Sequence, residues 1–168
     1  MIRPPGGRGH RTHPPRRSAG VLLYRDSVDS PAVLLAHMGG PMWTRRERAW
    51  TIPKGEYGDD EDPLAAARRE FAEEFGSPVP DVDLVPLGDV RQSGGKVVTA
   101  WAGEADFDAA SIVSNTVEIE WPPRSGRRIT VPEVDWAQWL PVEQARDVIV
   151  SAQAAFLDRI PWVRWRRS

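Results

Sequence analysis

Three glutamates in one short segment have the type and spacing to bind a divalent cation. Glu70, Glu73 and Glu74 fall within about a 100° arc of a helix that turns about 100° per residue. Like charges four residues apart weaken a helix slightly, and no lysine or arginine follows Glu70 or Glu74 at a spacing that relieves them. Hard cations such as Mg²⁺ prefer several oxygen ligands. The triad therefore indicates a site whose metal neutralises phosphate charge and activates a bound water.

The helix that carries the triad is well delimited in the sequence. Asp62 is a natural N-cap, and Pro63 suits the first helical position. Gly76 suits the position just past the helix end, and Pro78 blocks continuation. Three apolar residues lie on one stripe that we expect to face the core: Leu64, Phe71 and Phe75.

Short apolar runs before and after this helix predict strands. Residues 19–25 and 31–37 predict a hairpin around the polar turn 26–30. Further strands are predicted at 50–53, 82–90, 96–102, 116–121 (half-buried, by its alternation) and 134–140. Loops are predicted at 54–61 and 122–128, and helices at 141–150 and 152–160. Strands around one strong helix, followed by helices, predict a layered α/β or α+β domain.

The composition is that of a globular protein. The chain has 168 residues, enough for one domain with its own core, and 40% apolar residues argue against disorder. No apolar run approaches the ~20 residues of a membrane span and no secretory signal is visible, so we expect a cytoplasmic protein with no membrane partner. The absence of cysteine excludes thiolate metal sites and cysteine nucleophiles. A net charge of −2 provides no global field that recruits nucleic acid.

Two basic segments flank the expected domain, which spans residues 18–160. Residues 1–17 contain five arginines and no acid, with prolines and glycines, and predict a flexible basic arm. Contact of this arm with phosphate or nucleic acid is the alternative. Residues 161–168 form a basic aromatic tail, for which packing plus a solvated end is preferred to an RNA surface.

The segment from Gly55 to Ser77 resembles the Nudix box, G-x5-E-x7-R-E-U-x-E-E-x-G-U, where U is a bulky apolar residue. The positions in register are Gly55, Glu61, Arg69, Glu70, Phe71, Glu73, Glu74 and Gly76. Ser77 departs from the pattern, which affects packing at the helix end and leaves the acidic positions intact. Seven fixed letters give a chance match on the order of one in 10⁸ per start position.

The resemblance implies a single-domain α/β/α sandwich with a mixed β-sheet and hydrolysis of a nucleoside diphosphate linked to another moiety, using Mg²⁺ or Mn²⁺. Water attacks phosphorus in line while metal stabilises the developing charge. By the family pattern the metal ligands are three carboxylates and one carbonyl: Glu70, Glu73, Glu74 and the carbonyl of Gly55. Arg69 orients Glu73. Glu61 supports the loop, with contact to a metal through water as a further role.

The attacking water needs a base that accepts its proton. The resemblance implies a glutamate of the box, for which Glu73 is the first choice, or a glutamate in a later loop. Glu133 is the candidate of the second kind, because it precedes a late strand that can return to the box. Glu118 and Glu120 are its rivals, and the sequence leaves the choice open.

Cationic and aromatic residues outside the triad suggest how a substrate is held. Lys54, immediately before Gly55, resembles the lysine of hydrolases that act on dinucleoside polyphosphates and diphosphoinositol polyphosphates. Trp43 could stack on a nucleobase, with an ordinary core or surface tryptophan as the alternative. The predicted loop at 122–128 carries three arginines that suit a bidentate phosphate clamp: Arg124, Arg127 and Arg128.

Dinucleoside polyphosphates are the leading substrate class. Residues 132–159 also resemble the tail of a bacterial Nudix group related to diadenosine tetraphosphate hydrolases, although a tyrosine of some such enzymes is replaced by Ser93–Gly95. The enzyme alternatives are nucleoside triphosphate house-cleaning and 5′-RNA pyrophosphohydrolysis, so a nucleic-acid partner is possible but not favoured. The non-enzyme alternative, a nucleotide sensor, is disfavoured because every acidic box position is intact. The sequence does not determine the oligomeric state.

Overall fold

A computed structural model describes residues 14–165, so most of the predicted basic arm 1–17 and the end of the tail lie outside the described residues. The strands are β1 (Arg17–Arg25), β2 (Ala32–Met38), β3 (Trp50–Thr51), β4 (Lys54–Glu56), β5 (Val85–Arg91), β6 (Val97–Glu104), β7 (Thr116–Glu120), β8 (Arg128–Pro132) and β9 (Val134–Pro141). The α-helices are α1 (Pro63–Phe75), α2 (Val142–Val148) and α3 (Ala154–Arg159), with 3₁₀ turns at Ala109–Ser111 and Ser151–Gln153.

Seven strands form one mixed sheet at the centre of the protein. The order is β3-β2-β1-β6-β5, with β4 paired to β1 and β9 paired to β2. The β1–β6 pair is parallel and the other pairs are antiparallel. Side chains alternate along buried β1, so Val21 and Leu23 pack on one face of the sheet while Leu22 and Tyr24 pack on the other. Both faces of the sheet are therefore buried.

Helices cover both faces of this sheet. Phe71 and Phe75 of α1 belong to the apolar cluster on one face, and Phe156 and Leu157 of α3 belong to the cluster on the other. These four side chains are at most 1% exposed. The arrangement confirms the expected α/β/α sandwich with a mixed β-sheet. No helix within residues 14–165 is long and apolar enough to cross a membrane.

The predicted hairpin of β1 and β2 is confirmed, but the two strands pair only beside their turn. Their paired residues are Tyr24 with Val33 and Arg25 with Ala32. Further along, β4 takes the place of β2 beside β1, with Gly20 opposite Lys54. A Cβ on Gly20 would lie 2.6 Å from the carbonyl oxygen of Pro53, so the bare backbone permits this approach. The prediction of a loop at 54–56 was therefore wrong.

The strand predicted at 116–121 exists as β7, but its surroundings differ from the prediction. It pairs with β8 in a separate two-stranded ribbon, and most of its residues are exposed. Arg128 begins β8 rather than ending a loop. Alternation of side chains identifies a strand, but it does not show which surface the strand covers. We call β7 and β8 the ribbon.

The described part of the C-terminal tail packs on the domain. Trp162 is buried and lies edge-on to Tyr24, with ring centroids 5.3 Å apart. The carboxylate of Asp26 accepts hydrogen bonds from the backbone N–H groups of residues 163–165 at 2.8–3.1 Å. These bonds lower the pKa of Asp26 against the opposing effect of its burial, which is the larger single influence. The tail is thus tied to the β1–β2 turn.

Candidate active site

Helix α1 is a rigid platform for the carboxylates. The Asp62 carboxylate caps it by accepting from the N–H of Ala65 at 3.0 Å, and Gly76 ends it with φ of 75°. Phe71 and Phe75 are fully buried, which fixes how the helix is rotated about its axis. This rotation places Glu70 and Glu74 in a nearly closed space, with exposures of 7% and 8%. Glu73 lies on the exposed side.

Arg69 joins the acidic residues of the box. Its Nε and Nη2 donate to the two carboxylate oxygens of Glu61 at 2.7 and 2.9 Å, a bidentate pair. Its Nη1 donates to Glu70 at 2.7 Å and to Glu73 at 3.3 Å. The hydrogen bonds to Glu61, Glu70 and Glu73 raise the pKa of Arg69, and the bond to Glu61 has the largest effect. The same bond lowers the pKa of Glu61. Arg69 thus contacts Glu73, as expected, but binds Glu61 and Glu70 more closely.

Glu74 is the acid of the triad that bonds to the backbone of β4. Its Oε2 accepts from the backbone N–H of Lys54 at 3.0 Å. Burial raises the pKa of Glu74 to about 8, against the opposing effect of the Lys54 ammonium. Burial also lowers the pKa of Lys54, and Lys96 adds to this effect. Burial thus disfavours the charged forms of both Glu74 and Lys54.

Gly55 touches the triad through its backbone. A Cβ at this position would overlap the carboxylate of Glu70. Only glycine therefore lets β4 lie directly against Glu70. Burial raises the pKa of Glu70, and Arg69 opposes this rise.

Glu133 reaches the box through the junction of β8 and β9. Its backbone N–H donates to the carbonyl of Asn115 at 3.0 Å, and the N–H of Asn115 donates to the carbonyl of Glu73 at 3.1 Å. Burial raises the pKa of Glu133, and the charge of Glu73 raises it further. The structure thus brings this distant glutamate to the box. Its rivals lie elsewhere: Glu118 pairs with Arg128 at 3.5 Å, and Glu120 accepts from the N–H of residue 126.

The donor set suits a hard cation. It consists of carboxylates and a glycine backbone, with oxygen as the only ligand atom. Within residues 14–165, no three such side chains are grouped closely enough to hold a metal as they stand. The reason is visible in the hydrogen bonds: Glu70 and Glu73 bind Arg69, while Glu74 binds the Lys54 N–H. A cation would compete with these donors for the same oxygens.

An apolar cavity of about 230 Å³ opens beside the carboxylates. Glu74, Lys54 and Glu133 lie in its wall, together with Trp43. The other wall is apolar and is built largely by the ribbon and the β2–β3 connection, through Met38, Met42, Val117, Ile119 and Val131. This apolar wall was not predicted from the sequence. Its only sequence signal was the alternation of Val117 and Ile119 in the strand 116–121.

The three arginines predicted as a phosphate clamp do not line this cavity. Arg124, Arg127 and Arg128 lie at the tip of the ribbon and its turn, and all three are exposed. Arg128 pairs with Glu118, on the face of the ribbon opposite to Val117 and Ile119. A role for these arginines in substrate binding stays a prediction.

Comparison with known protein families finds one match. The model of the NUDIX domain matches residues 14–162, nearly the whole chain. The chain belongs to the Nudix family. This membership confirms the resemblance of the box, and it supports the predicted phosphoanhydride hydrolase. Members of this family generally use divalent metal cations.

Solved structures of several Nudix proteins share the fold. The binary complex of an Ap4A hydrolase from C. elegans is 20% identical, with a TM-score of 0.61 over 84% of this chain and 93% of that one. The NUDIX domain of Shewanella oneidensis NrtR, complexed with ADP ribose, is 15% identical, with a TM-score of 0.59 over 95% and 93%. The M. Smegmatis Nudix hydrolase RenU is 22% identical, with a TM-score of 0.54 over 85% and 81%. No curated protein matches the sequence significantly.

Proposed function

We propose that this protein is a Mg²⁺-dependent pyrophosphohydrolase of nucleoside diphosphates linked to another moiety, with dinucleoside polyphosphates as the main substrate class. One observation carries the proposal. The acids Glu74 and Glu133 and the cation Lys54 meet in one wall of an apolar cavity, beside the remaining box glutamates. Acids that hold a metal, a cation that attracts phosphate and an apolar space for a base are the parts this reaction needs.

The metal would be held by Glu70, Glu73, Glu74 and the carbonyl of Gly55. When bound, it would lower the pKa of water and neutralise charge on the phosphoryl oxygens. Arg69 keeps Glu70 and Glu73 on one side of the helix through its Nη1. Glu61 in turn fixes Arg69 by a bidentate pair, so its role is to position the guanidinium.

Glu133 is the preferred general base. It lies in the cavity wall together with Glu74 and Lys54, where its carboxylate faces the space proposed for the substrate. Its raised pKa suits proton transfer near neutral pH better than that of an ordinary glutamate. Glu73 is the alternative, and its contact with Arg69 fits a ligand that is held in place.

The substrate would place its nucleoside in the apolar cavity and its phosphates beside Lys54. The ring of Trp43 in the cavity wall offers a surface on which a base can stack. The Ap4A hydrolase and the ADP-ribose complex among the similar structures are consistent with a nucleotide ligand. The resemblance of residues 132–159 to a bacterial group related to diadenosine tetraphosphate hydrolases favours the polyphosphate class.

Product analysis tests this proposal directly. Purified protein with Mg²⁺ is given dinucleoside polyphosphates of several lengths, nucleoside triphosphates, ADP-ribose and a 5′-triphosphate RNA, and products are separated by chromatography. Asymmetric cleavage of a dinucleoside polyphosphate to a mono- and a triphosphate product is the expected result. Preferred turnover of the triphosphate or the RNA would overturn the substrate class. Tight nucleotide binding without turnover would establish a sensor instead.

A further inference from the structure

A second cavity adjoins the apolar one and differs from it in charge. Its volume is about 770 Å³, within the range of small-molecule sites, and the two cavities share Lys54 and Trp43. Among residues 14–165, four cationic side chains line it and no aspartate or glutamate does: Arg46, Arg48, Lys54 and Lys96. We call this cavity the basic cleft.

Within residues 14–165, the cations of the basic cleft form few ion pairs, although the charges of Glu74, Glu56 and Glu70 stabilise the Lys54 ammonium. Arg46, Arg48 and Lys54 form no ion pair there. Lys96 has one, to Glu56, at 3.6 Å. A cavity that concentrates one sign of charge attracts ions of the opposite sign.

Two of these cations are held by groups that carry no net charge, namely backbone carbonyls and an aromatic ring. Arg48 donates from Nη1 to the carbonyls of Arg146 and Ile149 at 3.1 and 3.0 Å, which anchors its guanidinium. The guanidinium of Arg46 lies over the ring of Trp43, 4.7 Å from its centroid. A donor that is already anchored loses less conformational entropy when an anion binds.

The side chain of Gln92, which lines the basic cleft, is oriented by a buried neighbour. Gln153 is fully buried, and its Nε2 donates to Oε1 of Gln92 at 2.9 Å. Because the Gln92 oxygen is used in this way, the side-chain nitrogen of Gln92 is left to donate. Gln92 lines the cleft beside Lys96. Gln92 therefore adds a donor to those of the four cations, as an anion requires.

We infer that the basic cleft is a second anion subsite, which takes the phosphoryl groups of the substrate that lie beyond the carboxylate site. Lys54 belongs to both cavities, so a polyphosphate chain that leaves the carboxylates meets Lys54 first and then Lys96, Arg46 and Arg48. The inference rests on the proposed function for the identity of the substrate. The anion subsite itself can be tested without turnover.

Calorimetric binding of inorganic tripolyphosphate, in EDTA and at low salt, is the test. The wild type is compared with the double variant Arg46→Gln/Lys96→Gln. We expect about a tenfold or greater rise in Kd, which corresponds to ~1.4 kcal/mol for the two lost charges. Binding to the wild type should also weaken as salt rises. Equal affinity in wild type and double variant would overturn the inference.

Arg45→Gln is the matched control. Arg45 is the exposed neighbour of Arg46, and it does not line the basic cleft. Its substitution by glutamine removes one positive charge, as Arg46→Gln does. At 0.1 M salt we expect its Kd to change less than about twofold, because an exposed side chain that does not line the cleft contributes only a weak, screened interaction. If Arg45→Gln weakens tripolyphosphate binding as much as Arg46→Gln alone, the effect comes from net charge. That result would contradict a specific anion subsite.

Turnover separates this inference from the proposed function. In the wild type we expect KM to fall as the phosphate chain of a dinucleotide lengthens, and in the double variant we expect this dependence to disappear. Cleft-dependent binding of tripolyphosphate without any hydrolysis would refute the proposed function and retain the subsite. Hydrolysis with an unchanged dependence on chain length in the double variant would refute the subsite and retain the function.

Discussion

The two walls of the apolar cavity are built in opposite ways. The acidic wall stands on α1, where Phe71 and Phe75 are fully buried and Arg69 joins three carboxylates. The facing wall is the ribbon, a two-stranded sheet separate from the central sheet, whose Val117 and Ile129 are 39% and 36% exposed. The proposed catalytic groups on α1 are held by a packed core, whereas the proposed apolar contacts with substrate depend on a surface element. We therefore expect the acidic wall to control turnover and the ribbon to control substrate affinity.

Glu74→Gln tests the acidic wall and has the largest expected effect. We expect a fall in kcat of about 100-fold or more with the fold intact, because a buried carboxylate that would hold the metal is neutralised. Steady-state hydrolysis of a dinucleoside polyphosphate measures it. Glu143→Gln, an exposed substitution on α2, is the control. Near-wild-type rates for Glu74→Gln would contradict the role of Glu74 as a metal ligand.

Glu133→Gln tests the base that the tertiary structure brings to the box. We expect kcat to fall by about 100-fold, within the range for loss of a general base, with a smaller change in KM. Glu118→Gln, on the far face of the ribbon, should leave kcat unchanged. If Glu73→Gln lowers kcat and Glu133→Gln does not, the base belongs to the box.

Apolar substitution on the ribbon should affect KM instead. Ile119→Ala removes side-chain surface from the cavity wall, and we expect KM to rise about three- to tenfold with kcat nearly unchanged, equivalent to ~1 kcal/mol of lost contact. Val28→Ala, at an exposed valine in the β1–β2 turn, is the control. A fall in kcat without a change in KM would contradict the division of roles between the two walls.

The acidic wall should also reduce stability at neutral and higher pH. Burial raises the pKa of Glu74 to about 8, so the folded state binds a proton more tightly than the unfolded chain does. This contribution is fully present below the unfolded pKa of about 4.3 and is lost as pH rises through about 8. Without metal, Glu74→Gln should therefore melt at a higher temperature than the wild type at pH 8, with a smaller difference at pH 5. A lower melting temperature at pH 8 would contradict the burial of this charge.

Arg127→Ala has the smallest expected effect. If the arginines at the ribbon tip contact the phosphate chain, KM for a dinucleoside polyphosphate should rise about two- to fivefold, as for a partly solvated charge contact. The measurement is the KM of wild type and variant for dinucleoside polyphosphates with increasing numbers of phosphates. An unchanged KM would assign Arg127 to a solvated turn and leave the phosphates to Lys54 and the basic cleft.

Sequence analysis predicted the parts of the protein that local rules govern. The capped helix from Pro63 to Phe75 agrees with its signals at both ends, Asp62 and Gly76. Most strands were located from apolar runs, and the box positions followed from spacing alone. The short strand β4 was missed, because three residues between Pro53 and Tyr57 are too few to show a periodicity. The strand forms because Gly20 has no side chain and lets β4 approach β1 closely. This close approach depends on tertiary packing.

The sequence by itself determined the carboxylates, their helix and the class of chemistry, because residues three and four apart on a helix share a face whatever the rest of the chain does. Only the tertiary structure decided which distant groups join them. Glu133 lies 59 residues beyond Glu74 in the sequence, and backbone hydrogen bonds through Asn115 link it to the box. The apolar face of the ribbon lines the cavity beside the box. The cations of the basic cleft likewise come from three separate segments: the β2–β3 connection with Arg46 and Arg48, strand β4 with Lys54, and the β5–β6 turn with Lys96. Such pairings depend on how the sheet brings loops together, which spacing along the chain does not encode.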